Sequence, residues 1–427
     1  MNNLRQLRSL TPGLSVGVAT VTLPLAIVFV LAVVASQAAQ AQTFNVLHTF
    51  TGGNDGGNPS AGVTMKAGNL YGTTFAGGVL TCNAPHGCGT VYQLKHIGSG
   101  WTFNTLYSFS GSDGAIPTAP VVFGPDGALY STAEFGGSGN GNVFKLRPPP
   151  SACKTALCPW SENVLYTFQG GTDGSQPIGL VFDQAGNIYG TTSSGGAYGG
   201  GTAYELTSSG SGWTESLLHN FGVTDLDGFT PYRSVMIFDQ AGNLYGTTYF
   251  GGAHNAGSVF QLTPSGSGWI ETVIYSFQNG SDGSLPYSGL IIDQSGNLYG
   301  ATTDGGTGGG GTVFELSPSG GGWTFSVLYS LTGPSGCSCG PAWALVMDAA
   351  GNLYDTTQGD GAYKLGNVFK LTNTGGSWTY TSLYDFTGGN DGWFPISGVT
   401  LDTSGNLYGT TYYGGTDNSG VLWEITP

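Results

Sequence analysis

The stretch Gly242-Asn-Leu-Tyr-Gly-Thr-Thr248 determines the fold, because seven copies of it, exact or varied, occur along the 427-residue chain. Each copy is termed here a cassette. The copies are centred on tyrosines that lie 54 to 59 residues apart, namely Tyr71, Tyr130, Tyr189, Tyr245, Tyr299, Tyr354 and Tyr408. This period is slightly longer than those of known propeller repeats. It indicates one supersecondary unit that is copied around an axis or along a solenoid.

The unit around Tyr299 predicts four antiparallel strands. Residues 289–293 form a short β-branched run, and residues 297–302 alternate after a turn. A glycine-rich loop leads to 312–316, and a second turn leads to 323–331. Four strands in a unit of this length are typical of a β-propeller blade. Helices are not expected, because no segment after residue 41 keeps a 3.6-residue apolar period over three turns.

The two ends of the repeat region predict a closed ring. Residues 44–50 match only the fourth strand of a unit, and the chain after Tyr408 supplies only a third strand, Gly420-Val-Leu-Trp-Glu-Ile425. Six whole units, three further strands and one borrowed strand make seven blades. We therefore predict an all-β, seven-bladed propeller of four-stranded antiparallel blades, in which an N-terminal strand completes the last blade and removes its free edge.

Residues 1–41 precede the repeats and are predicted to be a signal peptide. Two arginines stand ahead of an apolar run from Val16 to Ala35, and Ala39-Gln-Ala41 is a small-x-small cleavage site. An uncleaved membrane anchor is the alternative, since the run approaches the roughly 20 residues that span a bilayer. We expect a secreted or periplasmic mature protein, residues 42–427, that forms a single propeller domain and does not span the membrane.

The composition argues against a nucleic-acid partner. The formal net charge is −15 and only 8% of the residues are charged, so the surface would repel phosphate backbones. Glycine occurs 77 times, but 22 Tyr, 22 Phe and 9 Trp keep a fixed phase in the repeats, which a disordered chain lacks. We expect a monomer that needs no cofactor.

Six cysteines fall into three close pairs, Cys82 with Cys88, Cys153 with Cys158, and Cys337 with Cys339. In an exported chain this pattern predicts local disulfides that brace loops. The last pair would close a strained ring and is alternatively reducible or free. Zinc bound by the first pair with His86 is the rival, but no second pair with ligand spacing lies nearby, so we predict no metal site.

The repeats resemble the GloVer tandem repeats of exported bacterial proteins over nearly the whole mature chain. The resemblance is carried by segments such as Gly257-Ser-Val-Phe-Gln-Leu262, together with the tyrosine cassette and a Gly-x-Asp-Gly-x-x-Pro motif. It implies an extracellular location without an assigned activity. The Asp-x-x-Gly-Asn-Leu-Tyr turn is also similar to turns in sensor propellers of two-component regulators and in propeller lyases that open cyclic peptide antibiotics. This second likeness supports the architecture more than a function.

Six aspartates recur in the loops that lead from the fourth strand of one unit to the first strand of the next. Each precedes a glycine, and they are Asp55, Asp113, Asp173, Asp227, Asp282 and Asp391. Around one rim they would bind Ca²⁺, a sugar or a cationic ligand. Alternatively, each closes its own turn by accepting backbone N–H bonds. We favour the turn interpretation, because folding repeats a motif in every blade whereas function usually breaks the symmetry.

The loops between second and third strands carry scattered aromatic residues, Phe75, Phe135, Tyr198, Tyr249, Phe250, Tyr412 and Tyr413. Rings on a polar, acidic rim suit stacking on sugars, and packing between blades is the alternative. Symmetry breaks in the sixth unit, where a cysteine-containing loop replaces the Asp-Gly motif and Asp355 stands where most copies have glycine. This unit marks either a site or a blade that drifted without a role.

These features predict a recognition or scaffold module for an unknown extracellular glycan or protein. The alternative is a propeller lyase or hydrolase with a metal-assisted site at the central opening. The five histidines occur at unrelated phases of the repeat, so no catalytic residues are predicted. An enzyme should gather unlike polar residues at one spot on the axis, whereas a scaffold should be uniform there.

Overall fold

Seven antiparallel sheets of four strands build the protein in the computed structural model. The structure describes residues 42–98, 100–149, 160–210, 212–224, 226–266, 268–333, 339–341 and 343–427. The predicted signal peptide and Cys153, Cys158 and Cys337 lie outside these residues. Thr43–Thr426 form one compact unit. Within the described chain, no helix has the length and apolar character that crossing a membrane requires.

Each sheet is one blade, and in blades one to six the strands follow one another in space as they do in sequence. The first strands of blades one to seven are β2 (Thr64–Lys66), β6 (Val122–Phe123), β10 (Ser175–Phe182), β15 (Ile237–Phe238), β20 (Ile291–Ile292), β24 (Val346–Met347) and β28 (Thr400–Leu401). The second strands are β3 (Asn69–Thr74), β7 (Leu129–Ala133), β11 (Ile188–Ser194), β16 (Leu244–Thr248), β21 (Leu298–Ala301), β25 (Leu353–Thr357) and β29 (Leu407–Thr411).

The outer half of each blade consists of two antiparallel strands, the third and the fourth. The third strands are β4 (Thr90–Ile97), β8 (Asn142–Arg147), β12 (Thr202–Ser209), β18 (Ser258–Ser265), β22 (Gly309–Ser319), β26 (Asn367–Thr374) and β30 (Val421–Thr426). The fourth strands are β5 (Gly100–Ser108), β9 (Ser161–Thr167), β13 (Gly212–Asn220), β19 (Gly268–Ser276), β23 (Gly322–Thr332), β27 (Ser377–Asp385) and, for blade seven, β1 (Thr43–Thr49). A short extra pair, β14 (Gly228–Phe229) with β17 (Phe250–Gly251), joins two loops of blade four.

The alternation of the second strand explains why leucine and tyrosine stand side by side in the cassette. Leu244 packs in one core cluster with Tyr189 of blade three, whereas its neighbour Tyr245 packs in the next cluster with Leu298 of blade five. Every one of the seven clusters repeats this pairing of one cassette's tyrosine with the next cassette's leucine or isoleucine. The hydrophobic core therefore lies between blades.

The glycine of the cassette is required because the third strand places an aromatic ring over it. Gly246 pairs with Phe260 across the ladder, and a Cβ added to Gly246 would overlap the Phe260 ring. The same overlap would occur between Gly72 and Tyr92 and between Gly409 and Trp423. The third-strand ring thus fills the space left by the missing side chain.

Hydrogen bonds from the first threonine of the cassette link successive blades. The hydroxyl of Thr247 donates to the carbonyl oxygen of Ser288 in blade five at 2.7 Å, and that of Thr356 donates to Ser397 in blade seven at 2.7 Å. Equivalent bonds join Thr73 to Ala119, Thr191 to Ser234 and Thr410 to Ala61. Since these carbonyls belong to the segments that enter the first strands, five blades fix the inner edge of the next in this way. In blade two Thr132 instead accepts from the N–H of Gly179, and blade five has Ala301 at the equivalent position.

The first strands line the axis of the ring. A Cβ added to Gly62 would lie 3.5 Å from the carbonyl oxygen of Gly398, and one added to Gly289 would lie 3.1 Å from that of Val235. These pairs join the inner edges of blades one and seven and of blades five and four. Residues on the loops that enter the first strands consequently meet at the centre.

The predicted closure of the ring is confirmed. The N-terminal strand β1 pairs with β30, so that blade seven has the order β1-β30-β29-β28. Phe44 of β1 stacks on Tyr384 of blade six with 3.8 Å between ring centroids and meets the edge of Phe386 at 5.9 Å. The closing strand therefore contributes both ladder bonds to blade seven and packing against blade six.

Phe44→Ala should destabilise the propeller by about 2 kcal/mol, because it removes a half-buried ring from the closing contact. Val46→Ala is the matched control, since Val46 lies on the same strand and is 39% exposed, and it should cost under about 0.5 kcal/mol. Urea unfolding of the two variants measures the difference. Equal losses would show that the contact of the closing strand with blade six has no special weight.

Candidate functional site

The predicted aspartates and aromatic residues share one face of the ring, termed here the upper face. The loops that enter the first strands pair there with the loops between second and third strands. In blade four the pair β14–β17 makes this link. In four other blades a single bridge does so, between Gly57 and Ala76, Ala115 and Phe135, Ser284 and Asp304, and Trp393 and Tyr413.

All six predicted aspartates accept hydrogen bonds within their own loops. In Asp282, Oδ2 accepts from the backbone N–H of Gln278 at 2.8 Å, and Oδ1 accepts from that of Gly280 at 3.2 Å. Backbone donors also serve Asp55, Asp113, Asp173, Asp227 and Asp391. The next residue is glycine because a Cβ on Gly283 would overlap Thr302. The Asp-Gly motif thus has a structural role in each loop.

Each of these aspartates also bonds a side chain of the preceding fourth strand. The partner is tyrosine in four loops and histidine in two, namely Tyr107, Tyr166, Tyr275, Tyr384, His48 and His219. The fourth strand of the following blade adds a third side chain. In three places it is a ring stacked on the partner, from Phe103, Phe325 or Phe44. In the other three it is Glu162, Glu215 or Glu271.

The three glutamates break the sevenfold symmetry in consecutive blades. Burial raises the pKa of each to about 7, and the neighbouring Asp113, Asp173 or Asp227 adds to the rise. The Oε1 atom of each glutamate has no hydrogen-bond partner among the described residues. Each glutamate therefore exchanges a proton near neutral pH.

Replacing Glu162 and Glu215 by glutamine should remove part of the pH dependence of stability. Their folded-state pKa values of about 7 lie above the ordinary 4.5, so the folded protein binds more protons than the unfolded chain. The free energy of unfolding therefore falls as the pH rises from about 4.5 to about 7. We expect the free energy of unfolding of the double variant Glu162→Gln/Glu215→Gln to equal that of the wild type at pH 4. At pH 8 it should exceed the wild-type value by about 1–2 kcal/mol, which includes a reduction for the partial exposure of the two side chains.

Urea unfolding of both proteins at pH 4, 6 and 8 tests this, because titrating groups that do not interact with the two glutamates cancel in the difference. A difference between variant and wild type that does not change with pH would contradict the raised pKa values.

The predicted aromatic residues divide between packing and exposure. Phe135 packs against the core cluster between blades one and two, and Phe250 stacks on Phe229 with 5.6 Å between centroids. Tyr249 meets the edge of Phe250 at 4.5 Å. Tyr198, in contrast, is 59% exposed. The remaining three residues, Phe75, Tyr412 and Tyr413, meet between blades seven and one.

These three rings line a cavity of about 470 Å³ on the upper face, termed here the aromatic cleft. Phe75 and Tyr412 meet edge to face at 5.9 Å, and Tyr413 stacks on Trp393 at 4.6 Å. The other lining residues are Asn58, Ala76, Asn83, His86 and Asn418. The lining therefore combines aromatic faces, amide groups and one imidazole, and none of its described residues carries a carboxylate, ammonium or guanidinium group.

A longer loop in blade one completes the aromatic cleft. Here β3 ends at Thr74 and β4 begins at Thr90, whereas in blade four β16 ends at Thr248 and β18 begins at Ser258. The additional residues bring Asn83 and His86 to the cleft. The predicted disulfide between Cys82 and Cys88 is present and closes this loop, with 5.5 Å between the Cα atoms.

Arg233 crosses the axis beneath the upper face. In blade four β15 begins six residues after Pro231, whereas in blade five β20 begins five residues after the equivalent Pro286. Arg233 lies in this longer segment and has a backbone φ of 55°. Its Nη1 donates to the carbonyl oxygens of Ile396 at 2.9 Å and Ser60 at 3.2 Å, in blades seven and one. One arginine thus links opposite sides of the ring.

Aromatic rings and one carboxylate surround this arginine. The guanidinium carbon lies 5.3 Å from the ring centre of Tyr287 and 5.4 Å from that of Trp343, within the range of cation–π contacts. Glu134 is 7% exposed; burial raises its pKa, and the charge of Arg233 opposes that rise. Unlike polar residues therefore meet at the axis, the arrangement expected of an enzyme, but Arg233 bonds backbone carbonyls of blades seven and one and contacts rings of blades five and six, so here the group ties the blades together. Sequence reasoning missed Arg233 and Glu134; the extra residue of blade four was the available signal for the arginine.

Asp355 of blade six lies in the interior between blades. It is 0% exposed and pairs with Phe369 across the ladder, at the position that glycine occupies in most cassettes. Burial raises its pKa well above the ordinary value, and the N–H of Thr356 opposes this by bonding Oδ1 at 2.8 Å. Its Oδ2 meets no partner among the described residues. Cys339, in the preceding loop, is disulfide-bonded.

Comparison with known proteins identifies a repeat family and a shared fold. The family model of the Gloeobacter/Verrucomicrobia repeat, which is the GloVer repeat that the sequence resembles, matches residues 32–158, 154–336 and 270–427. No curated protein matches the chain.

Two solved propellers have similar folds. The extracellular domain of a putative one-component system from B. thetaiotaomicron has a TM-score of 0.55 at 12% identity, over 90% of this chain and 40% of that one. An ulvan lyase of polysaccharide lyase family PL25, bound to -[GlcA(1-4)Rha3S]-, has a TM-score of 0.53 at 9% identity, over 87% of this chain and 93% of that one. At such identities the likeness is one of fold alone.

Proposed function

The chain belongs to the Gloeobacter/Verrucomicrobia repeat family, and from this premise we propose that it is an exported recognition module that binds a neutral carbohydrate in the aromatic cleft. One observation carries the proposal. The cleft brings aromatic faces and amide groups together beside the loop of blade one that is longer than its counterpart in blade four. The cavities of the opposite face, such as the one between Asp239 and Asp293, are instead lined by turn residues that recur in most blades.

The chemistry of the lining suits a sugar. An aromatic face covers the apolar C–H side of a pyranose ring, and amides and imidazole both donate and accept hydrogen bonds, as hydroxyl groups require. Phe75, Tyr412 and Tyr413 are half-buried, so their exposed parts are available to a ligand. Asn58 donates to the carbonyl oxygen of Tyr412 at 2.9 Å, which holds the two sides of the cleft together before a ligand arrives.

The charge of the protein favours a neutral ligand over an anionic one. The chain carries a formal net charge of −15, and the cleft has no lysine or arginine in its lining to offset it. An acidic polysaccharide would be repelled at long range and would meet no lysine or arginine among the described lining residues. The likeness to ulvan lyase concerns the fold alone, so its acidic ligand is not carried over to this chain.

Export is part of the proposal, because a glycan-binding module meets its ligand outside the cytoplasm. The sequence of residues 1–41 supports a signal peptide. The disulfide between Cys82 and Cys88 in the cleft loop supports an oxidising compartment.

Binding to an array of neutral and anionic oligosaccharides tests the proposed function. The wild type should bind neutral oligosaccharides. Phe75→Ala and Tyr412→Ala should each weaken binding about tenfold, since loss of a stacked ring costs about 1–2 kcal/mol. Tyr363→Ala is the matched control, because Tyr363 lies on the equivalent loop of blade six and is 60% exposed.

Melting temperatures of all variants separate loss of binding from loss of fold. The proposal would be overturned if the wild type bound only anionic glycans or no glycan at all. It would also be overturned if the cleft and control substitutions had equal effects on binding.

Mass spectrometry of the protein from the culture medium or periplasm tests export. The expected species begins at Gln42, and Cys82 and Cys88 resist thiol labelling before reduction. A product that retains Met1 would contradict cleavage of the signal peptide.

A further inference from the structure

We propose that His219, Asp227 and Glu271 form a binding site for a divalent transition-metal ion, of the zinc class, between blades three and four. His219 lies on β13, Asp227 in the loop before β14, and Glu271 on β19. The site is separate from the aromatic cleft, which lies between blades seven and one. Its ligand chemistry differs as well, since the cleft offers no carboxylate.

The three side chains are close enough for one ion. One potential ligand atom from each lies within 4.8 Å of the other two. Nε2 of His219 lies 3.2 Å from Oδ2 of Asp227. Zinc bonds of about 2.0–2.2 Å place ligand atoms about 3–4 Å apart, so small side-chain rotations close the site.

Two carboxylate oxygens at this place lack partners. Asp227 is 6% exposed, and its Oδ2 accepts from His219 and from the N–H groups of Gly222 and Val223. Its Oδ1 has no hydrogen-bond partner among the described residues, and neither does Oε1 of Glu271. A buried oxygen without a donor is costly, and a bound cation satisfies both oxygens at once.

The other described blade interfaces lack at least one member of this set. Between blades seven and one, His48 bonds Asp55, but the third position is Phe103, which has no ligand atom. Two further interfaces have both carboxylates but tyrosine in place of histidine. Between blades one and two the residues are Tyr107, Asp113 and Glu162. Between blades two and three they are Tyr166, Asp173 and Glu215. Among the described interfaces, histidine, aspartate and glutamate coincide between blades three and four.

This donor set selects the class of ion. One imidazole nitrogen and two carboxylate oxygens suit Zn²⁺ and related first-row ions, with water in the remaining positions. Calcium prefers six to eight oxygen ligands, which this site does not provide. The His219 side chain is 17% exposed, so solvent reaches the site.

Titration of chelator-treated protein with Zn²⁺ and with Co²⁺, followed by calorimetry and by the visible spectrum of Co²⁺, tests the site. One equivalent per chain should bind to the wild type. His219→Tyr and Glu271→Phe should each weaken binding by at least about a hundredfold. Both replacements install residues that other interfaces of this ring already hold, so the fold should persist, which melting temperatures check.

The neighbouring interface offers a gain of function. Tyr166→His places histidine beside Asp173 and Glu215 and should raise the stoichiometry from one to two equivalents. His48→Tyr is the control for loss of a surface histidine and should leave one equivalent. Absence of binding to the wild type, or one equivalent bound unchanged by both His219→Tyr and Glu271→Phe, would overturn the proposal.

Discussion

The packing of one cassette's tyrosine against the next cassette's leucine or isoleucine is the contact on which the ring depends, and in five blades a hydrogen bond from the first threonine to the backbone of the next blade reinforces it. In Thr247 and Thr356 the bond is 2.7 Å long, and its acceptors lie where the chain enters the next first strand. A buried hydroxyl must find a partner, and a neighbouring blade in register supplies one. The cassette thus encodes contacts between blades as well as a strand, since its tyrosine and leucine face opposite neighbours.

Because seven similar interfaces together stabilise the closed ring, individual loops can differ without opening it. Blade one uses this freedom for a longer, disulfide-closed loop, and blade four uses it for the extra residue that brings Arg233 to the axis. Blades two to four place glutamate where other blades stack a phenyl ring. The functional proposals concern these departures, since repeated features such as the Asp-Gly loops have structural roles in the six blades that contain them.

Arg233 and Asp355 show two ways in which a propeller accommodates buried polar groups. Around the arginine, two carbonyl oxygens and two aromatic rings take the place of water. The aspartate has one backbone donor, and burial shifts it towards the neutral form. The first arrangement ties blades across the axis, whereas the second lies within a single interface. A departure from the repeat therefore has different consequences at the axis and between blades.

The sequence by itself determined the blade number, the strand order and the closing strand, because these follow from a local pattern that repeats seven times. It also identified the aspartates, the aromatic residues and the disulfide of the cleft loop. Only the tertiary structure decided which of these meet. Phe75 and Tyr412 are separated by almost the whole chain and become neighbours through ring closure, and His219 joins Glu271 across a blade interface. A repeat fixes the environment within a unit, whereas contacts between different units depend on which residues the ring brings face to face.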